Sequence, residues 1–200
     1  MTNSLNIKNL LKLFDSTNTS YKFLFFYALI KIIKNNNFKK KILFKEIIKE
    51  MFVIAWLPTF QFNLNFRKQD QIKDILINFT KEAPDIIKVN KPTNKIISHI
   101  QKVITNIVND NEKLQLIEQK LLRYVILRLV RPFYQRLKRL PESGNLGIFK
   151  LANKVLRKDY QKEHPPYLID FDNSTLILNR KWSNYFREHF IFLELWVLQA

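Results

Sequence analysis

Two hundred residues with 46% apolar and 26% charged positions are enough chain, of ordinary globular composition, to bury a core. Only two glycines occur, Gly144 and Gly147, which tells against phosphate-cradling loops, dinucleotide-binding turns and tight hairpins that need positive φ or close backbone approach. Thirty-four Lys+Arg against 17 Asp+Glu leave +17, a balance that points to nucleic acid or another polyanionic surface.

Part of that charge has a plainer source, since Asn, Ile, Phe and Lys are the residues an AT-rich genome over-supplies. The absence of cysteine removes disulfides and thiolate metal sites and fits a cytoplasmic setting. The longest uncharged run, 51–66, is broken by Pro58, Gln61, Asn63 and Asn65, and the apolar run 23–30 is too short to span a bilayer. The opening residues do not read as a secretory leader. No membrane partner and no small-molecule cofactor are expected.

In chain order, residues 5–14 carry a short amphipathic helical pattern, closed by the polar turn 15–18. Thr19 or Ser20 is placed to cap a helix over 21–36, whose apolar residues surround the axis as in a central core helix. A second core helix is predicted over 44–57 and ended by Pro58. After a loop at 59–66, helices follow over 68–80 and from Pro92 to Asn109, separated by the break Ala83-Pro84-Asp85. Asp110-Asn111 caps a long pattern over 112–140 that Pro132 interrupts, and residues 141–144 form a turn before a helix over 146–158.

The period then becomes extended. Residues 167–170 and 175–178 flank a turn and predict a small hairpin, after which helix resumes from Lys181. The chain is still apolar at its last residues, FIFLELWVLQA, so this helix reads as cut short. The predicted fold is mostly α, an irregular multi-helix domain over 1–200 with one small β-hairpin near 167–178.

The charge is concentrated. Residues 120–158 hold eleven cations and one acid, Glu142. At 100° per residue Lys120, Arg123, Arg128, Arg131 and Lys138 share one helical face, while Leu122, Ile126, Leu129, Phe133, Leu137 and Leu140 share the other. With Arg139, Lys150, Lys154, Arg157 and Lys158 they form a basic stripe suited to phosphate contact; the plainer alternative is a solvated face.

Catalytic signals are weak. His164, Asn179 and His189 occur in the order His–Asn–His across the hairpin and the last helix, but only Glu163 adjoins His164, and His189 lacks a good second ligand. Pro84-Asp85 lacks the Glu-x-Lys tripeptide of the nuclease pattern it would open, and two glycines cannot make Gly-x-Ser-x-Gly. His99 stands alone on a helix, and Trp56, Trp182 and Trp196 sit in apolar patterns that indicate core packing. No catalytic and no metal-binding residue is assigned.

Several stretches carry a resemblance. Residues 18–23 (NTSYKF) lead into an aromatic helix, 51–58 end in Ala-Trp-Leu-Pro, and Phe66 and Gln69-Asp70 lie in the following loop. Residues 121–125 (LLRYV) run into Arg131-Pro132-Phe133, and the hairpin is followed by Trp182 and Tyr185. In order and spacing the chain resembles the helical N-terminal region of bacterial HNH endonuclease domain proteins. Leu57 and Arg67 depart from that pattern, where the family has an aromatic residue and a glycine.

The resemblance implies DNA phosphodiester hydrolysis by a downstream HNH segment with a divalent metal, and this chain holds no match to that segment. It implies here a non-catalytic region that positions DNA. The alternative is a scaffold that associates with a nuclease half, or with itself, and binds no nucleic acid.

Overall fold

The structure, a computed structural model, describes residues 5–14, 20–36, 39–60, 72–80, 94–139 and 146–199. The described chain is mainly helical with a small antiparallel sheet, as the sequence predicts. Its elements are α1 (Ile7–Leu11), α2 (Tyr21–Asn35), β1 (Lys41–Leu43), α3 (Phe44–Phe60), α4 (Ile72–Thr80), α5 (Asn94–Asn109), α6 (Asn111–Ile117), α7 (Arg123–Val130), α8 (Leu146–Glu163), β2 (Tyr167–Asp170), β3 (Thr175–Leu178), α9 (Arg180–Glu188) and α10 (Phe190–Gln199).

Helix α2 is the hub, as its all-round apolar pattern requires. Leu24, Phe25, Phe26, Ala28, Leu29, Ile30, Ile32 and Ile33 are all buried, and α3, α7, α9 and α10 pack around it. The cap differs from expectation. Ser20 is already helical (φ −74°, ψ −10°) and makes no side-chain capping bond. Thr19 and the turn at 15–18 lie outside the described residues. Helix α1 is capped by Asn6, whose Oδ1 accepts from Asn9 N at 3.1 Å.

Pro58 does not end α3, which runs two residues further to Phe60. A proline near a helix end costs a single backbone bond, because few later residues depend on the turn it distorts. The last turn gains other ties. Thr59 Oγ1 donates to Ala55 O at 2.7 Å, and the Trp56 and Phe60 rings lie 4.7 Å apart.

The hairpin forms at its expected residues, Tyr167 pairing with Leu178 and Asp170 with Thr175. It is not isolated. Residues 41–43 add a third strand, giving the order β1-β3-β2 with Ile42 opposite Leu176. Three residues carry no readable period, and this strand forms because Ile42 is buried against β3. Glu46 then secures the start of α3 by accepting from Leu43 N at 2.9 Å, the reciprocal half of a capping box.

The long helix expected over 112–140 is broken. It is α6, capped by Asp110, then a π turn over Glu118–Leu122, then α7, then 3-10 turns at Arg131–Phe133 and Leu137–Arg139. Pro132 begins the first 3-10 turn, and the π turn shifts the helical faces on either side of it. The apolar face survives these breaks: Leu122, Ile126, Leu129, Phe133 and Leu137 are all buried.

Trp56 and Trp182 are buried, and Trp196 packs on Phe14 with ring centroids 4.8 Å apart, so all three tryptophans serve the core. Residues 61–71, 81–93 and 140–145, on which the rest of the expected 59–66 loop, the start of the expected 68–80 helix, the 83–85 break, Pro92 and the 141–144 turn fall, lie outside the described residues. Among the described residues no helix is long and apolar enough to cross a membrane.

Candidate nucleic-acid interface

Two buried tyrosines join the pieces of the basic stripe to the core. Tyr134 Oη donates to Leu156 O at 3.3 Å, tying the segment after α7 to α8. Tyr167 Oη donates to Ile126 O at 3.2 Å, tying β2 to α7. Burial raises the pKa of both phenols above the ordinary range, so both stay protonated as donors. The Tyr134 bond holds Lys138 and Arg139 on an element adjoining the α8 segment that carries Lys154, Arg157 and Lys158.

The ten stripe residues fare differently. Lys138, Arg139, Lys154, Arg157 and Lys158 are exposed. Arg131 is half-buried and donates through Nη2 to Lys138 O at 3.2 Å, closing the turn between the two 3-10 segments. Arg128 is half-buried, with its Nε removed from solvent and without a hydrogen-bond partner. The side chains of Lys120, Arg123 and Lys150 lie outside the description. The single helical face expected to align Lys120 through Lys138 is replaced by a patch spread over short elements, because the π turn and Pro132 break the helix.

Chain distance also hid acids. Arg157 Nη2 sits 2.6 Å from Asp172 Oδ2 and 3.9 Å from Asp170 Oδ1, both in or beside the hairpin turn. Arg136 Nε lies 3.5 Å from Asp159 Oδ2. A window with one acid in its sequence therefore gains three more from its surroundings, and its cleanest cations are Lys138, Arg139, Lys154 and Lys158.

A second basic cluster escaped the window count. Lys34, Lys39, Lys40, Arg180 and Arg187 line adjoining surface grooves between α2, the approach to β1, and α9. The run Lys39-Lys40-Lys41 was its visible signal. The partners near residue 180 are too distant in the chain to be joined to it by reading.

The His–Asn–His set is occupied with local structure. Asn179 caps α9, its Oδ1 accepting from Lys181 N at 3.0 Å. His189 follows the end of α9, stacks on Tyr185 at 4.3 Å, and has Nδ1 at 3.0 Å from Tyr185 O. His164 ends α8 with φ 45°, and its carbonyl accepts from Trp182 Nε1 at 2.9 Å. The His99 side chain lies outside the description. Among the described residues no three His, Asp or Glu side chains converge as a metal cradle.

Compared with protein-family models, with curated proteins and with solved structures, the chain matches none.

Proposed function

We propose that the chain binds nucleic acid, duplex DNA first among the forms to test, and positions it without cleaving it. In this reading it corresponds to the helical N-terminal region of an HNH-endonuclease-like protein. The supporting observation is the joining of two exposed basic segments, Lys138-Arg139 and Lys154 through Lys158, by the Tyr134–Leu156 bond. Cations fixed on a packed scaffold neutralise phosphates and release counterions with little ordering cost.

Fluorescence anisotropy with a short labelled duplex tests it. If four cations are engaged, raising salt from about 50 to 200 mM weakens binding on the order of a hundredfold. No binding at low salt, or binding indifferent to salt, overturns the proposal. Plasmid nicking in the presence of Mg²⁺, Mn²⁺, Ni²⁺ or Zn²⁺ overturns its non-catalytic part.

A second reading rests on α10. Ile191, Phe192, Leu195 and Leu198 remain 71%, 64%, 54% and 65% exposed. They make an uncharged stripe of roughly 500 Å², within the range of the largest apolar patch on a typical monomer, which is often functional. Two copies joined through it would bury roughly 1,000 Å², the lower bound for a specific interface. In this reading the chain is a scaffold that self-associates through α10 and binds no nucleic acid. Light scattering decides it: a dimer that becomes monomeric in Ile191→Lys/Leu195→Lys supports the reading, and a monomeric wild type sinks it.

A further inference from the structure

Two stretches more than a hundred residues apart in the chain, 34–40 and α9, meet along one surface. The last turn of α2 supplies Lys34, the approach to β1 supplies Lys39 and Lys40, and α9 supplies Arg180 and Arg187. One groove of about 380 Å³ lies beside the first turn of α9, lined by Lys39, Lys40, Leu178, Arg180 and Ser183. Another of about 520 Å³ lies beside its last turn, lined by Lys34, Asn184, Arg187 and Glu188. Between the two lies a tight apolar pinch of about 10 Å³ over the buried Ile32, Ile33 and Ile42, edged by Lys39 of the first groove and Arg187 of the second.

The packing explains why these cations face solvent together. Trp182 and Phe186 turn one side of α9 into the core, which leaves Arg180 exposed and Arg187 half-buried on the other. The 2.8 Å bond from Leu178 N to Lys40 O fixes the lysine run against the start of the same helix. Among the described residues, Glu188 lines the second groove and Glu46 pairs with Lys39. Lys34 Nζ stands 3.9 Å from the centre of the Phe190 ring, a cation–π contact that holds its ammonium beside the start of α10.

Spacing selects the ligand. Seven residues of helix separate Arg180 from Arg187, a rise of about 10 Å. Successive phosphates of one strand rise ~3.4 Å along a duplex axis and lie further apart along the strand itself, so a strand reaching both grooves would meet them with different phosphates. A lone phosphate would occupy one groove and leave the other empty.

We propose that these two neighbouring grooves bind the sugar–phosphate backbone of a nucleic-acid strand, as a contact separate from the Lys138–Lys158 patch. The proposal rests on the nucleic-acid reading above and adds a second place at which the strand is held.

The test compares two double variants of exposed residues, Lys40→Ala/Arg180→Ala in the grooves and Lys154→Ala/Lys158→Ala in the patch. Binding of a labelled duplex is read across salt, and circular dichroism checks folding. The groove pair is expected to weaken binding about tenfold or more near 100 mM salt and to lower the salt slope by about two. Lys40→Arg/Arg180→Lys is expected to retain binding. Wild-type affinity and slope in the groove alanine pair, with the patch pair impaired, overturn this proposal and leave the nucleic-acid reading standing. Failure of the wild type to bind overturns both. Phosphatidylserine vesicles are the competing probe, and binding to them in preference to DNA overturns the assignment to a nucleic-acid strand.

Discussion

Arg157 and Asp172, separated by fifteen residues, form a 2.6 Å ion pair between α8 and the hairpin turn. Both side chains are largely exposed, so the pair contributes at most about 1 kcal/mol to stability. Its larger effect is on charge, because it offsets a cation in the middle of the basic patch. Asp172→Asn is expected to leave the melting temperature nearly unchanged and to tighten duplex binding a few-fold at low salt. Unchanged or weaker binding, measured by anisotropy, would remove Arg157 from the interface.

Trp182 anchors the hairpin region to the helical core. Its indole donates to His164 O, and its ring meets Phe133 at 5.3 Å and Phe186 at 5.5 Å. Trp182→Ala is expected to cost about 3–5 kcal/mol through lost burial and the cavity left behind. Trp182→Phe keeps most of the ring volume and leaves the His164 carbonyl without its donor, at a cost of about 1–3 kcal/mol. Urea unfolding of both variants checks the order.

His164 holds the left-handed conformation at φ 45° where α8 gives way to Pro165-Pro166. A non-glycine residue there carries a backbone cost that glycine escapes. Offset by the entropy glycine loses on folding, His164→Gly is expected to be neutral or to stabilise by up to about 1 kcal/mol. A thermal melt showing a loss above that range would mean that the imidazole itself holds the corner together.

Glu118, in the π turn, accepts from Ser174 Oγ at 3.2 Å, and burial raises its pKa above the ordinary carboxyl value, with the serine bond opposing the shift. The native state therefore holds this proton to higher pH than the unfolded chain does. The associated stability is present below the unfolded pKa and is lost as pH rises through the folded one. Glu118→Gln is expected to be more stable than wild type near neutrality and to flatten this part of the pH profile. Urea midpoints for the two proteins, from the ordinary carboxyl range to pH 7, test it; parallel profiles would contradict it.

Residues 167–178 and the all-round apolar α2 were legible because alternation and helical period are local signals. Pro58 misled because a proline's cost depends on how many helical bonds follow it, and only Thr59 and Phe60 did. The third strand was illegible, since Lys41-Ile42-Leu43 becomes a strand only when β3 is beside it. The basic stripe was legible as composition and misread as geometry. Its ideal helical wheel assumed an unbroken helix, and its count of acids stopped at the limits of the window.

By itself the sequence determined the helical class, the hairpin, the apolar faces and the excess of positive charge, all properties of neighbouring residues. The tertiary structure alone decided which charges stand together. Packing of α9 on the core brought Arg180 and Arg187 to Lys34, Lys39 and Lys40, and packing of α8 beside the hairpin and the segment after α7 set Asp170 and Asp172 against Arg157 and Asp159 against Arg136. Electrostatic interaction depends on distance through space, and folding brings together charges that the chain order keeps more than a hundred residues apart.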